Sequence, residues 1–183
     1  MFEKGNLVVY GTNGVYWIKD IGAPPDSTIS DMSKQYYHLV PIRGNGITYI
    51  PIDTKVFIRP VMTKDEAYQL IARIPFVQEQ ENNSKIQRLL AEQYRSSLES
   101  HKTEELICLI KTIYMKNRKL RQAGKRLCQT DERYKKKAEE LLYGELSAVL
   151  DIPYDHVESY IEQELGRQAG SSENCSPYTE REK

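Results

Sequence analysis

Apolar and polar positions change rhythm near residue 60. Before it, short β-branched and aromatic runs recur: Leu7-Val8-Val9-Tyr10, Val15-Tyr16-Trp17-Ile18, Tyr36-Tyr37-His38-Leu39-Val40 and Ile47-Thr48-Tyr49-Ile50-Pro51-Ile52. Runs of this length, bounded by Gly, Asn and Pro, predict strands. Gly11-Thr12-Asn13-Gly14 predicts a tight hairpin, because Asn-Gly supplies the positive φ angles such a turn demands. Residues 22–35 are polar and proline-containing, as in a surface loop, and Gly44 with Gly46 marks a second turn. Pro51 cannot donate to a ladder, which puts its strand at an edge or at a strand end. Val56-Phe57-Ile58 offers a fifth strand, and short strands at this spacing predict a small, strongly bent sheet or half-open barrel.

After Pro60-Val61-Met62-Thr63 the period becomes helical. Thr63 with Glu66 matches a capping box, and Tyr68, Leu70, Ile71 and Ile74 carry the first apolar stripe. Residues 78–83 are polar and predict a linker. A helix from about Ser84 shows Ile86, Leu89, Leu90, Tyr94 and Leu98 on one face. The next, roughly His101 to Gln122, has the stripe Leu106, Ile110, Ile113 and Tyr114. Thr130 is the expected cap of a helix carrying Tyr134, Ala138, Leu141, Leu142 and Leu146. Pro153 opens a last one with Val157, Tyr160, Ile161 and Leu165. From Gly166 periodicity ends, which predicts a disordered tail over 166–183.

The fold class expected is therefore α+β: a bent sheet over 1–60, then an all-α unit over 61–165. A hydrophobic share of 39% with 28% charged residues suits small modules with much surface. Met1-Phe2-Glu3-Lys4-Gly5 does not resemble a signal peptide, and no apolar stretch reaches membrane-spanning length. Cys108, Cys128 and Cys175 are odd in number and widely spaced, unlike a disulfide framework, and Cys108 within Leu106–Ile110 reads as a core residue. These features predict a reduced, cytoplasmic protein.

Net charge is zero, but its distribution is uneven. Between Leu106 and Thr130 stand Lys111, Lys116, Arg118, Lys119, Arg121, Lys125 and Arg126 with no acidic residue. Through Lys137 the run holds eleven basic residues against Asp131 and Glu132, whereas from Glu139 onward eleven acidic residues face three basic ones. Such a run is either a phosphate-contacting patch or a solvated helix face. It names no bases, so contact would be with backbone and shape.

Catalytic patterns do not appear. His38, His101 and His156 lack zinc-ligand spacing, and there is no phosphate loop, nucleophile elbow or H-E-x-x-H. Gly44-Asn45-Gly46 is a turn, and Glu104-Glu105 and Glu139-Glu140 read as helix-surface charges. A binding protein without cofactor or metal is expected, not an enzyme.

The opening Phe2-Glu3-Lys4-Gly5-Asn6-Leu7-Val8-Val9-Tyr10-Gly11-Thr12-Asn13-Gly14-Val15 resembles the CarD family of bacterial transcription regulators. That family's pattern, F-x-x-G-D-x-V-V-Y-P-x-H-G-V, is shared with the polymerase-interacting domain of the transcription-repair coupling factor. Asn6, Gly11 and Asn13 stand where the pattern has Asp, Pro and His. Tyr36 to Pro41 and Ile47 to Pro51 are similar to its later strands. Arg126 to Arg133 and Ala138 to Leu146 are more loosely similar to its helical part, and the resemblance extends over about residues 1–165.

It implies a Tudor- or SH3-like sheet that docks on the RNA polymerase β subunit. It also implies a helical domain that touches promoter DNA through backbone and minor groove, with a tryptophan wedge and basic residues on phosphates. Here Trp17 lies in the sheet instead. The family's W-x-R-R-Y aligns with Leu90-Ala91-Glu92-Gln93-Tyr94, so the wedge would be Leu90, which also lies on the apolar stripe. The expected DNA-contacting set is Lys85, Arg88, Leu90, Arg95, Lys116, Arg118, Lys119, Arg121, Lys125 and Arg126. The expected polymerase-binding set is Thr48, Tyr49 and Ile50, on a sheet edge open to strand addition. A second reading is an adaptor that binds polymerase without touching DNA.

Overall fold

The computed structural model of the chain describes residues 1–24, 34–79 and 87–172. Most of the predicted 22–35 loop, part of the 78–83 linker, the helix start from Ser84 with Lys85 and Ile86, and tail residues 173–183 lie outside these. The architecture is α+β.

Five strands, β1 (Leu7–Tyr10), β2 (Gly14–Gly22), β3 (Tyr36–Pro41), β4 (Thr48–Pro51) and β5 (Ile58–Pro60), form one antiparallel sheet in the order β4-β3-β2-β1-β5. Tyr10 pairs with Gly14, so the expected hairpin forms. Its positive φ angles belong to Gly11 and Gly14, however, and not to Asn13. β5 starts at Ile58, two residues later than its apolar run suggests.

Because side chains alternate along strands, register fixes which residues share a face. Val8, Ile18, Tyr37, Leu39 and Ile50 form the sheet's own buried cluster. On the opposite face Val9 pairs with Val15 and with Arg59, while Leu7, Trp17 and Val40 align across three strands. A register shift between Ile18 and Asp20 bends β2.

The helices are α1 (Lys64–Arg73), α2 (Gln87–Glu99), α3 (Thr103–Gln122), α4 (Gln129–Leu150) and α5 (Val157–Ser172), with 3₁₀ turns at Ile74–Phe76 and Tyr154–His156. α1 begins as its capping box requires: Thr63 accepts from the Glu66 N–H, and Glu66 accepts from the Thr63 N–H at 2.7 Å. α3 ends in a Schellman turn, with Gly124 N–H donating to Arg121 and Lys125 N–H to Leu120, and Gly124 at φ +69°. The apolar faces of the five helices meet in a second buried cluster around Ile71, Tyr94, Ile113, Leu146 and Val157.

Five details differ from the sequence reading. Cys128, not Thr130, is the N-cap of α4, and α5 continues through Ser172 where a tail was expected. Tyr68, Leu89 and Tyr114, counted on apolar stripes, are exposed, because the true stripes are rotated towards Ala67, Leu90, and Leu109 with Thr112. Cys108 is half-buried, its Sγ donating to the Gln78 carbonyl at 3.2 Å. His101 precedes α3 at φ +56° and stacks on Phe57, with ring centroids 4.1 Å apart.

The sheet and helices are joined by an ion pair. Glu145 of α4 is 2% exposed. It receives both Nη1 (2.5 Å) and Nη2 (2.7 Å) of Arg59 from β5, and its Oε1 also accepts the Met62 N–H at 2.9 Å. The bidentate carboxylate raises the Arg59 pKa further, against the opposing effect of burial.

Two stability outcomes follow. Arg59→Ala leaves a buried carboxylate without its cation and is expected to cost about 3 kcal/mol or more in urea denaturation. Thr63→Ala should cost about 1 kcal/mol by loss of the cap. The Thr63 backbone N–H is the main cause holding the Glu66 carboxyl below its usual pKa. Its contribution is thus present above the unfolded pKa and lost as pH falls through the folded one. The stability gap between wild type and Glu66→Gln is therefore expected to close on acidification below about pH 4.

Candidate nucleic-acid interface and open sheet edge

The basic run divides into side chains that hold the fold together and side chains that face solvent. Lys111 points inward and its Nζ donates to the carbonyls of Ile74 (3.1 Å), Pro75 (3.2 Å) and Val77 (2.5 Å), closing the turn after α1. Lys116 is bound to Asp131, a carboxylate with no solvent exposure, at 2.7 Å to Oδ2 and 2.9 Å to Oδ1. The same carboxylate accepts from Tyr94 Oη of α2 at 2.9 Å and Cys128 Sγ at 3.2 Å. Asp131 thereby gathers α2, α3 and the start of α4, and Lys116 is unavailable to phosphate.

Arg118, Lys119 and Arg121 lie exposed in the last turns of α3, and Lys125 and Arg126 follow the reversal at Gly124. None of the five forms an ion pair among the described residues. Cations here complement the negative end of the α3 dipole, which accounts for part of their presence at no functional cost. Five side chains within one turn and one reversal still exceed what a single helix end uses.

The expected contacts on α2 fare differently. Leu90 is 3% exposed and packs in the helical cluster, so it cannot enter a groove without emptying the core. That expectation is corrected: Leu90 is a core residue, placed inward by its spacing from Tyr94 and Leu98. Arg88 and Arg95 are exposed but paired along their own helix with Glu92 (3.4 Å) and Glu99 (3.0 Å). Lys85 lies outside the described residues.

At the other end of the molecule, β4 is an outer strand, and no described strand pairs with its far side. Thr48 is exposed. Tyr49 is half-buried, cross-strand from His38, and meets that ring edge-on at 4.8 Å. Ile50 is 5% exposed and belongs to the sheet's cluster, so its side chain cannot contact a partner and only its backbone is on offer. Trp17, 54% exposed on the other face, is tied down by its Nε1 donating to the Gly5 carbonyl at 2.8 Å.

The sequence reading missed a third surface. Arg43, after β3, lies 3.4 Å over the Tyr154 ring, beside Lys136 and Lys137 of α4. Two of these cations stood inside the basic run, but only the docking of the sheet on α4 brings Arg43 to them. Among the described residues no three His, Cys, Asp or Glu side chains assemble a metal-binding set, and no helix is long and apolar enough to cross a membrane. No protein-family model matches the chain, and no curated protein matches it.

The division of the lysines has a direct consequence. Lys116→Ala is expected to lower stability by about 3 kcal/mol in urea, because Asp131 stays buried without its cation. Arg118→Ala and Arg121→Ala should each change stability by about 0.5 kcal/mol at most. Equal effects across the three would remove the distinction.

Proposed function

We propose that the chain is a transcription regulator that acts by binding, not catalysis. Its sheet, read as Tudor-like, docks on the RNA polymerase β subunit by strand addition at β4. The basic end of α3 holds upstream promoter DNA, and together the two contacts set the stability of the open complex. The observation that carries the DNA half is the exposed set Arg118, Lys119, Arg121, Lys125 and Arg126, which form no ion pair among the described residues. Support for the polymerase half is the family-like opening of the sequence with a strand edge at Thr48–Pro51 that no described strand pairs.

The reading differs from the family pattern in its DNA contact. With Leu90 in the core and the family's tryptophan absent from the helices, no apolar wedge is assigned, and the contact is with phosphates. That same observation favours the second reading, an adaptor that sits on polymerase without DNA.

A titration of promoter DNA with the full chain at several salt concentrations separates the two. For the regulator, log affinity falls linearly with log salt, and Arg118→Gln with Arg121→Gln reduces the slope by about one unit per residue. Absence of salt-dependent binding, or an unchanged slope in the double variant, removes the proposed phosphate contact and favours the adaptor. Polymerase retention by the immobilised full chain tests the shared premise, with Tyr49→Ala expected to weaken it. Absence of retention by wild type would remove both readings.

A further inference from the structure

A groove of about 430 Å³ runs between the sheet and α4. One wall is the β1–β2 hairpin with the start of the β3–β4 loop, and the other is the outward face of α4 with Tyr154. Its volume is in the range of pockets that take small molecules. Three features of its lining bear on what it can hold.

The first is charge. Arg43, Lys136 and Lys137 line the groove with Glu140 as the only carboxylate, and an adjoining hollow adds Arg133. Lys136 is exposed with no ion-pair partner among the described residues. Lys137 is only loosely paired, at 3.8 Å from Glu140, with both side chains about two-fifths exposed. Such a pair contributes little and is easily exchanged for a better anion.

The second is preorganisation. The Arg43 guanidinium carbon sits 3.4 Å from the centre of the Tyr154 ring, a cation–π contact that holds the side chain at the groove while its N–H groups can still donate to an anion. This contact also joins the two walls, so the groove is bridged there. That favours a compact ligand over a polymer threading through.

The third is Gly144. It sits in the interior of α4, where glycine is a poor choice, and a Cβ built on it would meet nothing within 4 Å. Among the described residues the Cβ position there is open space. A glycine at this point opens the helix backbone to whatever occupies the groove.

We propose that this groove binds a phosphorylated small molecule of nucleotide size, with its phosphates on Arg43, Lys136 and Lys137 and its body against Gly144. Glu140 supplies an acceptor for a hydroxyl-bearing ligand. The site is separate from the α3 end and goes beyond the DNA contact proposed above.

Calorimetric titration of the full chain in magnesium-free buffer tests it, with ATP, GTP, inorganic tripolyphosphate and adenosine as probes. Binding of the phosphorylated probes without adenosine is expected. A preference for ATP or GTP over tripolyphosphate identifies a nucleotide as the source, and equal affinity identifies the phosphate chain alone. Arg43→Gln with Lys136→Gln should weaken binding at least tenfold, while Arg118→Gln with Arg121→Gln leaves it within about twofold. Gly144→Leu should abolish binding with Tm unchanged or raised, since leucine is the better helix former. The proposal is overturned if no phosphorylated probe binds at millimolar concentration, or if the α3 variants weaken binding as much as the groove variants. It is also overturned if duplex DNA displaces ATP and loses affinity on Gly144→Leu, which would make the groove part of a nucleic-acid surface.

Discussion

A carboxylate taken out of water must be given a cation and hydrogen bonds, and Glu145 imposes that requirement on the whole molecule. Its partners are Arg59 at the last strand and the Met62 N–H in the link to α1. One side chain near the C-terminal end of α4 thus fixes where the sheet ends and where the helices begin. A hydrophobic contact of equal area would tolerate sliding. A bidentate Arg–carboxylate pair does not, since displacement of about an ångström strands two charges. The pair therefore acts on placement more than on net stability.

α4 carries a second such group fourteen residues earlier in the same stripe. Asp131 does for α2 and α3 what Glu145 does for the sheet, through Tyr94, Lys116 and Cys128. The two lie about 21 Å apart along the axis at the α-helical rise, so α4 is a rod with an electrostatic anchor towards each end. Buried pairs at both ends thus tie the sheet, α2 and α3 to α4 beside the two hydrophobic clusters. They also determine which basic residues remain for a partner. Lys111 and Lys116 are consumed within the fold, whereas Arg118, Lys119 and Arg121 lie beyond the last buried turn of α3.

Much of this was legible in the residue pattern. Local signals succeeded wherever the cause was local: the glycine-bounded hairpin, the Thr63–Glu66 box, the end of α3 before Gly124 and the position of Pro51 on an outer strand. Errors arose where a partner came from another element. Counting charges along the chain makes Lys116 a free cation, because Asp131 reaches it across a helix boundary. Leu90 could pass as a wedge only while its neighbours in space were unknown. A signal was nonetheless present. Lys116 continues the stripe Leu106, Leu109, Ile113 at helical spacing, and Asp131 and Glu145 fall on the stripe through Ala138, Leu142 and Val149. A charged residue in phase with a buried stripe predicts a buried ion pair, and reading phase before charge would have found all three.

The same logic separates the surfaces that remain for function. In the sheet order β4 is four strands from β5, about 19 Å at ordinary strand spacing, so the anchored edge and the open edge are opposite ones. A strand added at β4 would therefore leave the Arg59–Glu145 pair untouched. The groove beside Gly144 lies between the anchors, where sheet and helix approach but share no buried pair. Its walls are set by Glu145 on one side and by the Arg43–Tyr154 contact on the other. A ligand there would bear on both units at once.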